Sequence, residues 1–244
     1  MYRIFEFDVN LFSFKPIIEN ILQCEVEKLH KKYQFDNQLC DFTGGNINND
    51  IKRNDEKINV FDFTEKIYPQ ILNNPLFNKT WNQFSNYIKY FIFNGDKIYI
   101  QKTPSIRIFP SESKLQYVKT TSKIFDRESN WHIDNDEPFW HPSFEKNMWM
   151  SLIKTDNDNS LYIEDNKTIK PLLMNNGQLL MFDSVYHGAF VHNRSINTRM
   201  TMDFKVFPVS HYDTNLLTDK IIKKRGKYFK QSEWYSEKFY YRII

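Results

Sequence analysis

His132 and Asp134 stand two residues apart in the segment WHIDND. In an extended strand, residues two apart point to the same face, so an imidazole and a carboxylate there can reach one metal ion together. A second imidazole, His187, follows the apolar run Gln178 to Phe182, which ends at Asp183. Further on, Thr198 to Phe207 alternates. Met200, Met202, Phe204 and Val206 point one way, and Arg199, Thr201, Asp203 and Lys205 the other. Arg199 can take a carboxylate between two parallel N–H donors. Thr201, on the same side, can add a hydroxyl. Two imidazoles and one carboxylate leave about three positions of an octahedral ion open, the donor set that suits a non-haem Fe(II) centre. Rival ligands fit less well: no acidic residue follows His141 at two positions, and His192 is too close to Arg199 for the turn and strand between them.

The elements that must position these groups read as follows. Gly177 to Pro208 is an antiparallel pair of strands joined by a polar turn, with His187 just past the first strand. Met1 to Val9 is a strand. Lys15 to Lys32 is one helix with the apolar stripe Ile18, Ile21, Leu22, Val26 and Leu29. Gln34 to Lys57 is a polar loop and a candidate lid. Phe63 to Leu72, kinked or cut short at Pro69, and Pro75 to Phe91 are helices. After the turn Asn94-Gly95-Asp96 come strands Lys97 to Gln101 and Ser105 to Phe109, broken by Pro104. Arg107, between Ile106 and Ile108, is expected to face solvent. A long polar stretch, Ser111 to Asn130, precedes WHIDND, and EKNMWMSLI and Leu161 to Glu164 are further strands. The tail beyond Pro208 is expected to be partly helical and packed on the domain edge, with its Lys and Arg cluster solvated. Helices come first and strands after. This order predicts an α+β domain in which helices buttress an antiparallel double sheet. One domain is expected over 1–244, with helical support in 1–95, the β core in 96–208 and a tail in 209–244.

Composition narrows the field of functions. A chain of 244 residues with net charge +3 has no basic run interleaved with glycine, so nucleic acid is not an expected partner. Two cysteines make neither a disulfide framework nor a zinc site. No basic head with an apolar run opens the chain, and no apolar run approaches the roughly 20 residues needed to span a bilayer. A cytoplasmic protein with a small-molecule substrate and no membrane partner is expected; the oligomeric state is open.

The joint pattern resembles the Fe(II)- and 2-oxoglutarate-dependent oxygenases, specifically the streptomycin-biosynthesis-type branch of the phytanoyl-CoA-hydroxylase-like superfamily. QKTPSIRIFP, HIDND followed by His141-Pro142, EKNMW, NSLYIE, GQLLMFDSVYHGAFVHN, NTRMTMDFKVFP and GKYF stand in the family's order, roughly from Lys97 to Phe229. The resemblance implies a double-stranded β-helix core (jelly-roll, cupin-like). It implies His132, Asp134 and His187 as catalytic iron ligands, and Arg199, Thr201 and Asn193 as cosubstrate-binding residues. The cofactors implied are Fe(II), 2-oxoglutarate and O2. The implied activity is that of a dioxygenase, a hydroxylase that acts on a C–H bond and releases succinate and CO2. Where the family often has His-Gly-Asn, this chain has His187-Gly188-Ala189. Candidate substrate residues are Arg107, Tyr117, Asn135, Trp140, Asn147 and Trp149, with Asp136, His141 and Tyr186 nearby in the chain. Polar and aromatic groups of this kind suit a small polar metabolite: an amino acid, a sugar or a nucleotide-linked compound. The alternative is a non-catalytic cupin-like module that binds a metal or a sugar, for which the Arg199 and Thr201 pair has no use.

Overall fold

The computed structural model describes residues 2–35, 60–112, 132–135, 140–165, 168–184, 187–190, 193–224 and 227–244. Strand β1 (Tyr2–Glu6) leads into helix α1 (Phe14–Leu22). A single helix from Lys15 to Lys32 is not what forms. Gln23 turns left-handed at φ 50°, a 3-10 turn follows at Val26–Lys28, and α2 is the short piece Leu29–Lys32. Side chains take over the helix-end groups. Glu19 Oε1 accepts from the Val26 amide at 2.9 Å, and Lys32 Nζ donates to the carbonyls of Leu22 at 2.8 Å and Gln23 at 3.1 Å. The expected apolar stripe is still buried through Ile18, Leu22, Val26 and Leu29.

Helices α3 (Val60–Leu72) and α4 (Pro75–Tyr87) follow, with Pro69 inside α3 and a π-helical turn at Ile88–Ile92 extending α4. Asn74 caps α4, accepting from the amides of Leu76 at 2.9 Å and Phe77 at 3.1 Å, and Pro75 takes the first helical position. Phe77, Trp81, Phe84 and Ile88 form its buried side.

The β-rich half makes two large sheets. Its strands are β2 (Ile98–Gln101), β3 (Ser105–Phe109), β4 (His132–Ile133), β5 (Lys146–Ser151), β6 (Leu161–Asp165), β7 (Thr168–Leu172), β8 (Gln178–Asp183), β9 (His187–Phe190) and β10 (Arg199–Pro208). The tail adds the hairpin β11 (Ile221–Lys224) and β12 (Lys227–Lys230), the short helix α5 (Gln231–Trp234) and strand β13 (Tyr241–Ile243). The larger sheet has seven strands in the order β1-β8-β5-β10-β2-β13, with β3 also paired to β10. The second has four, β4-β9-β6-β7.

Strands β8 and β10 are therefore not the adjacent pair that their sequence suggests. β5 lies between them, and the stretch joining them contributes β9 to the other sheet. Strand β7 was not expected; its Pro171 is tolerated because β7 is the last strand of its sheet. The tail is more extended than helical. Its end, β13, is hydrogen-bonded along β2, and Arg242 is tied to α4 through Asn82 at 2.6 Å and Ser85 at 2.8 Å.

The alternation of β10 sorts the large sheet's two faces. Phe204 packs on Trp81 and Phe84 of α4, with ring centroids 4.8 and 6.4 Å apart. Met148, Met150, Met200, Met202 and Val206 are buried in the same cluster. The opposite face carries polar residues, and it is nearly as buried.

Gly177, just before β8, has φ +99°, and a Cβ there would lie 3.0 Å from Val9 Cγ1 and 3.2 Å from the Phe7 carbonyl. Its own carbonyl accepts from the Phe7 amide at 2.8 Å, which starts the β1–β8 pairing. Gly177→Ala is expected to destabilise the fold by about 1–3 kcal/mol through left-handed strain plus the backbone clash. A shift of the urea midpoint at unchanged slope is the check.

Candidate functional site

The polar face of β10 is the floor of the site. Pairing with β3 sets Arg199 opposite Phe109 and Thr201 opposite Arg107; pairing with β5 sets Thr201 opposite Ser151, Asp203 opposite Trp149 and Lys205 opposite Asn147. Residues directly opposite on paired strands share a face. Arg199, Thr201, Ser151 and Trp149 are wholly or almost wholly buried, and Arg107, Asn147 and Lys205 nearly so. So much polarity inside a fold must be hydrogen-bonded or kept for a ligand.

Some of it is satisfied internally. Arg199 Nη1 donates to the carbonyls of Asn159 and of Ser160, the latter at 3.1 Å, and its guanidinium carbon lies 3.8 Å from the Phe109 ring centre. Arg107 does not face solvent. Its Nε and Nη2 grip the two carboxylate oxygens of Asp203 at 2.7 and 3.1 Å. That face is an inner one here, and the paired carboxylate offsets part of the cost of burying the cation. Three groups are different. Thr201 Oγ1, Asn147 Nδ2 and Trp149 Nε1 are buried and have no hydrogen-bond partner among the described residues.

At the far end of this face is Asp134. Its carboxylate is held by Lys205 Nζ, which also contacts Asn147 Oδ1. Asp134 follows β4 directly, and β4 pairs with β9, His132 opposite Gly188 and Ile133 opposite His187. The backbone thus brings both expected ligand histidines onto neighbouring strands of the smaller sheet, with Asp134 one turn residue beyond. Among the described residues no group of three His, Cys, Asp or Glu is assembled as a metal centre. The side chains of His132 and His187 are not among what is described. By residue type the donor set is that of a divalent iron, but this register sets His132 on the face of Gly188 and His187 on the alternate face with Ile133, so the strand pairing by itself does not turn both toward one ion. A buried arginine with a buried hydroxyl beside it that has no partner among the described residues fits the far carboxylate of a 2-oxo acid.

Other expected site residues serve the loop behind Asp134. Asn135 Nδ2 donates to the His141 carbonyl at 2.6 Å, and the His141 amide to the Asp134 carbonyl at 2.8 Å. Trp140, at φ +49°, accepts from Gln231 at 2.6 Å and has Lys220 Nζ 3.3 Å from its ring centre. Asn193 is wholly buried and holds the turn before β10. Its amide donates to Phe109 at 2.8 Å, Pro110 at 3.0 Å and Asn197 at 2.8 Å, and its oxygen accepts from the Ser195 amide at 3.1 Å. Tyr117, Asp136, Tyr186 and His192, most of the Gln34 to Lys57 loop and most of the stretch from Ser111 to Asn130 lie outside the described residues.

Three members of this neighbourhood were not anticipated as site residues. Asp203 and Lys205 share the alternation of Arg199 and Thr201, so the signal was available. Glu145 had none. It is wholly buried, accepting from His141 Nδ1 at 2.7 Å and from the Tyr241 hydroxyl, and its carbonyl accepts from the Ser184 amide at 3.3 Å.

Burial, with the Glu145 charge next in size, holds the Tyr235 and Tyr241 hydroxyls well above the usual tyrosine range; burial first, then the Glu237 carboxylate at 2.8 Å, pushes Tyr99 up to about 12. A raised folded-state value means stability intact below pH 10 and lost as pH rises beyond it. The two wholly buried tyrosines alone give a slope of about 3 kcal/mol per pH unit. Alkaline unfolding is expected to begin above pH 10, read by tyrosinate absorbance together with circular dichroism.

No family model matches the chain. It is 29% identical over 122 residues to the streptomycin biosynthesis protein StrG of Streptomyces griseus, covering 49% of this chain and 52% of that protein. The chain thus spans about half the length of the curated relative it matches. Among solved structures, EctD from S. alaskensis with bound Fe is similar at a TM-score of 0.45 and 12% identity, covering 86% of this chain and 73% of that one. EvdO2 from Micromonospora carbonacea var. aurantiaca, complexed with 2-oxoglutarate, is similar at 0.37 and 12%, covering 59% and 65%. A 2OG-Fe(II) oxygenase family oxidoreductase from Burkholderia pseudomallei is similar at 0.35 and 11%, covering 59% and 57%. No helix among the described residues is long and apolar enough to cross a membrane.

Proposed function

We propose that this chain is an Fe(II)- and 2-oxoglutarate-dependent dioxygenase that hydroxylates a C–H bond of a small polar metabolite, built on a double-stranded β-helix. The observation that carries the reading is the buried polar face running from Arg199 and Thr201 to Asp134, with the His132 and His187 strands paired beside it. The two-sheet strand order supports the β-helix. The match to StrG, whose name places it in streptomycin biosynthesis, supports the same reading.

In this reading His132, Asp134 and His187 hold the iron. Arg199 grips the far carboxylate of 2-oxoglutarate and Thr201 donates its hydroxyl to it. With O2, the bound iron and 2-oxo acid supply the oxidising power, which hydroxylates substrate and yields succinate and CO2. The protein's part is placement. Arg199 is fixed by the Asn159 and Ser160 carbonyls and by Phe109, so the cosubstrate meets a cation already aimed. Trp149 and Asn147 offer buried N–H donors to acceptor-rich ligands, and the Arg107–Asp203 pair keeps the wall polar without adding net charge.

The test is an anaerobic titration with Fe(II) and then 2-oxoglutarate, following the visible charge-transfer band of the chelate. A band in the native chain that vanishes in His187→Ala is expected, followed by succinate release with a panel of amino acids, sugars and nucleotide-linked compounds. Metal binding without a band would sink the oxygenase reading in favour of a binding module.

A further inference from the structure

Lys205 occupies an unusual position for a residue next to a metal centre. It lies on the site face of β10, nearly buried, and its ammonium bonds both Asp134 Oδ2 and Asn147 Oδ1. Asp134 is the single carboxylate in the proposed ligand set. A dication arriving there must share that carboxylate with a fixed positive charge, and in a largely buried setting the two cations repel with little screening. The ammonium is also confined: Asn147 opposes it across the β5–β10 pairing, and its strand neighbours Phe204 and Val206 are packed in the core on the other face.

We propose that Lys205 couples metal binding to cosubstrate binding at this site, so that the metal is held weakly until a dianionic 2-oxo acid arrives. The inference rests on the reading of Asp134 and the two histidines as metal ligands. Metal and ammonium together leave the centre with an excess of positive charge over its one carboxylate. The carboxylate that a 2-oxo acid brings to the metal offsets half of that excess, while Arg199 balances the other carboxylate. Coupling between two ligands is reciprocal, so the factor by which 2-oxoglutarate tightens the metal is the factor by which the metal tightens 2-oxoglutarate. The consequence is an enzyme that does not hold reactive iron in the absence of its cosubstrate.

Titration with Mn(II), followed by the magnetic resonance signal of the free ion, reads the metal affinity directly and without turnover. In the native chain 2-oxoglutarate is expected to tighten Mn(II) by about tenfold or more. In Lys205→Met, Mn(II) alone is expected to bind about tenfold tighter than in the native chain, and the gain from 2-oxoglutarate to shrink to about twofold. Lys205→Arg keeps the charge and should keep the coupling. Asn147→Asp is a second route that does not require removing the lysine. A carboxylate there draws the ammonium away from Asp134, so it too should tighten Mn(II) and reduce the coupling. Weaker Mn(II) binding in both Lys205→Met and Asn147→Asp, or coupling unchanged in both, overturns the proposal. The first result would make Lys205 a residue that merely orients Asp134. If instead the native chain and His187→Ala bind Mn(II) alike, the metal-site reading itself fails, an outcome distinct from either of these.

Discussion

Arg199→Met raises the dissociation constant of 2-oxoglutarate by about 10²- to 10³-fold, the expected loss when one member of a buried, charge-assisted bidentate pair is removed. Mn(II) affinity without cosubstrate should change by no more than about twofold, because Arg199 lies three pairs of strand residues from Lys205, the residue that meets Asp134. Methionine keeps the volume beside Phe109 but leaves the Asn159 and Ser160 carbonyls without their donor, so some stability is lost as well. Arg199→Lys separates charge from shape. The ammonium can still attract the carboxylate but cannot present two parallel donors, and affinity should fall between the native chain and Arg199→Met. Thr201→Val, which removes only the unpartnered hydroxyl, should weaken 2-oxoglutarate by about tenfold. Binding of 2-oxoglutarate by Arg199→Met at native affinity would remove the cosubstrate from the proposed function.

Glu145→Ala is expected to cost about 3–5 kcal/mol of stability, within the sum of two buried hydrogen bonds to a carboxylate at about 1.5–3 kcal/mol each. The carboxylate is fully enclosed and is used from both sides, by His141 Nδ1 at 2.7 Å and by the Tyr241 hydroxyl. Without it His141 Nδ1 and the Tyr241 hydroxyl both lose this acceptor. Glu145→Gln keeps the volume yet offers one acceptor to two donors, so an intermediate loss is expected. Tyr241→Phe deletes a single hydrogen bond to a charged group and should cost about 1.5–3 kcal/mol. Urea unfolding of the three variants checks the order. The effect should also reach the site. His141 donates its amide to the Asp134 carbonyl, and the Ser184 hydroxyl donates to the Pro142 carbonyl at 3.1 Å. Loosening this loop in Glu145→Ala frees Asp134, and weaker Mn(II) binding is expected to accompany the lost stability.

Much of the local structure was legible from residue order because it rests on short-range physics. The period of β10, the Asn74-Pro75 start of α4 and the Asn94-Gly95 turn with both residues at positive φ each follow from a few neighbouring residues. The candidate ligands His132, Asp134 and His187 could be named from residue type and spacing, but the strand alternation expected for His132 and Asp134 stops short, because β4 ends at Ile133 and Asp134 lies in the turn after it. What the chain's order could not reveal is which strands meet. Gln178 to Asp183 and Arg199 to Pro208 read as a hairpin, but β5 separates them, because pairing partners are chosen by the burial of whole faces and not by proximity in sequence. That choice decided the rest. It turned Arg107 inward onto Asp203, put Lys205 on Asp134, committed Asn193 to its own turn and enclosed Glu145 between a loop and the C-terminal strand. An alternating strand looks the same whether its polar side meets water or a second sheet. Only the tertiary fold, which brings the Asn159 and Ser160 carbonyls onto Arg199 and Asp134 onto Lys205, makes a row of ordinary polar residues into a buried site.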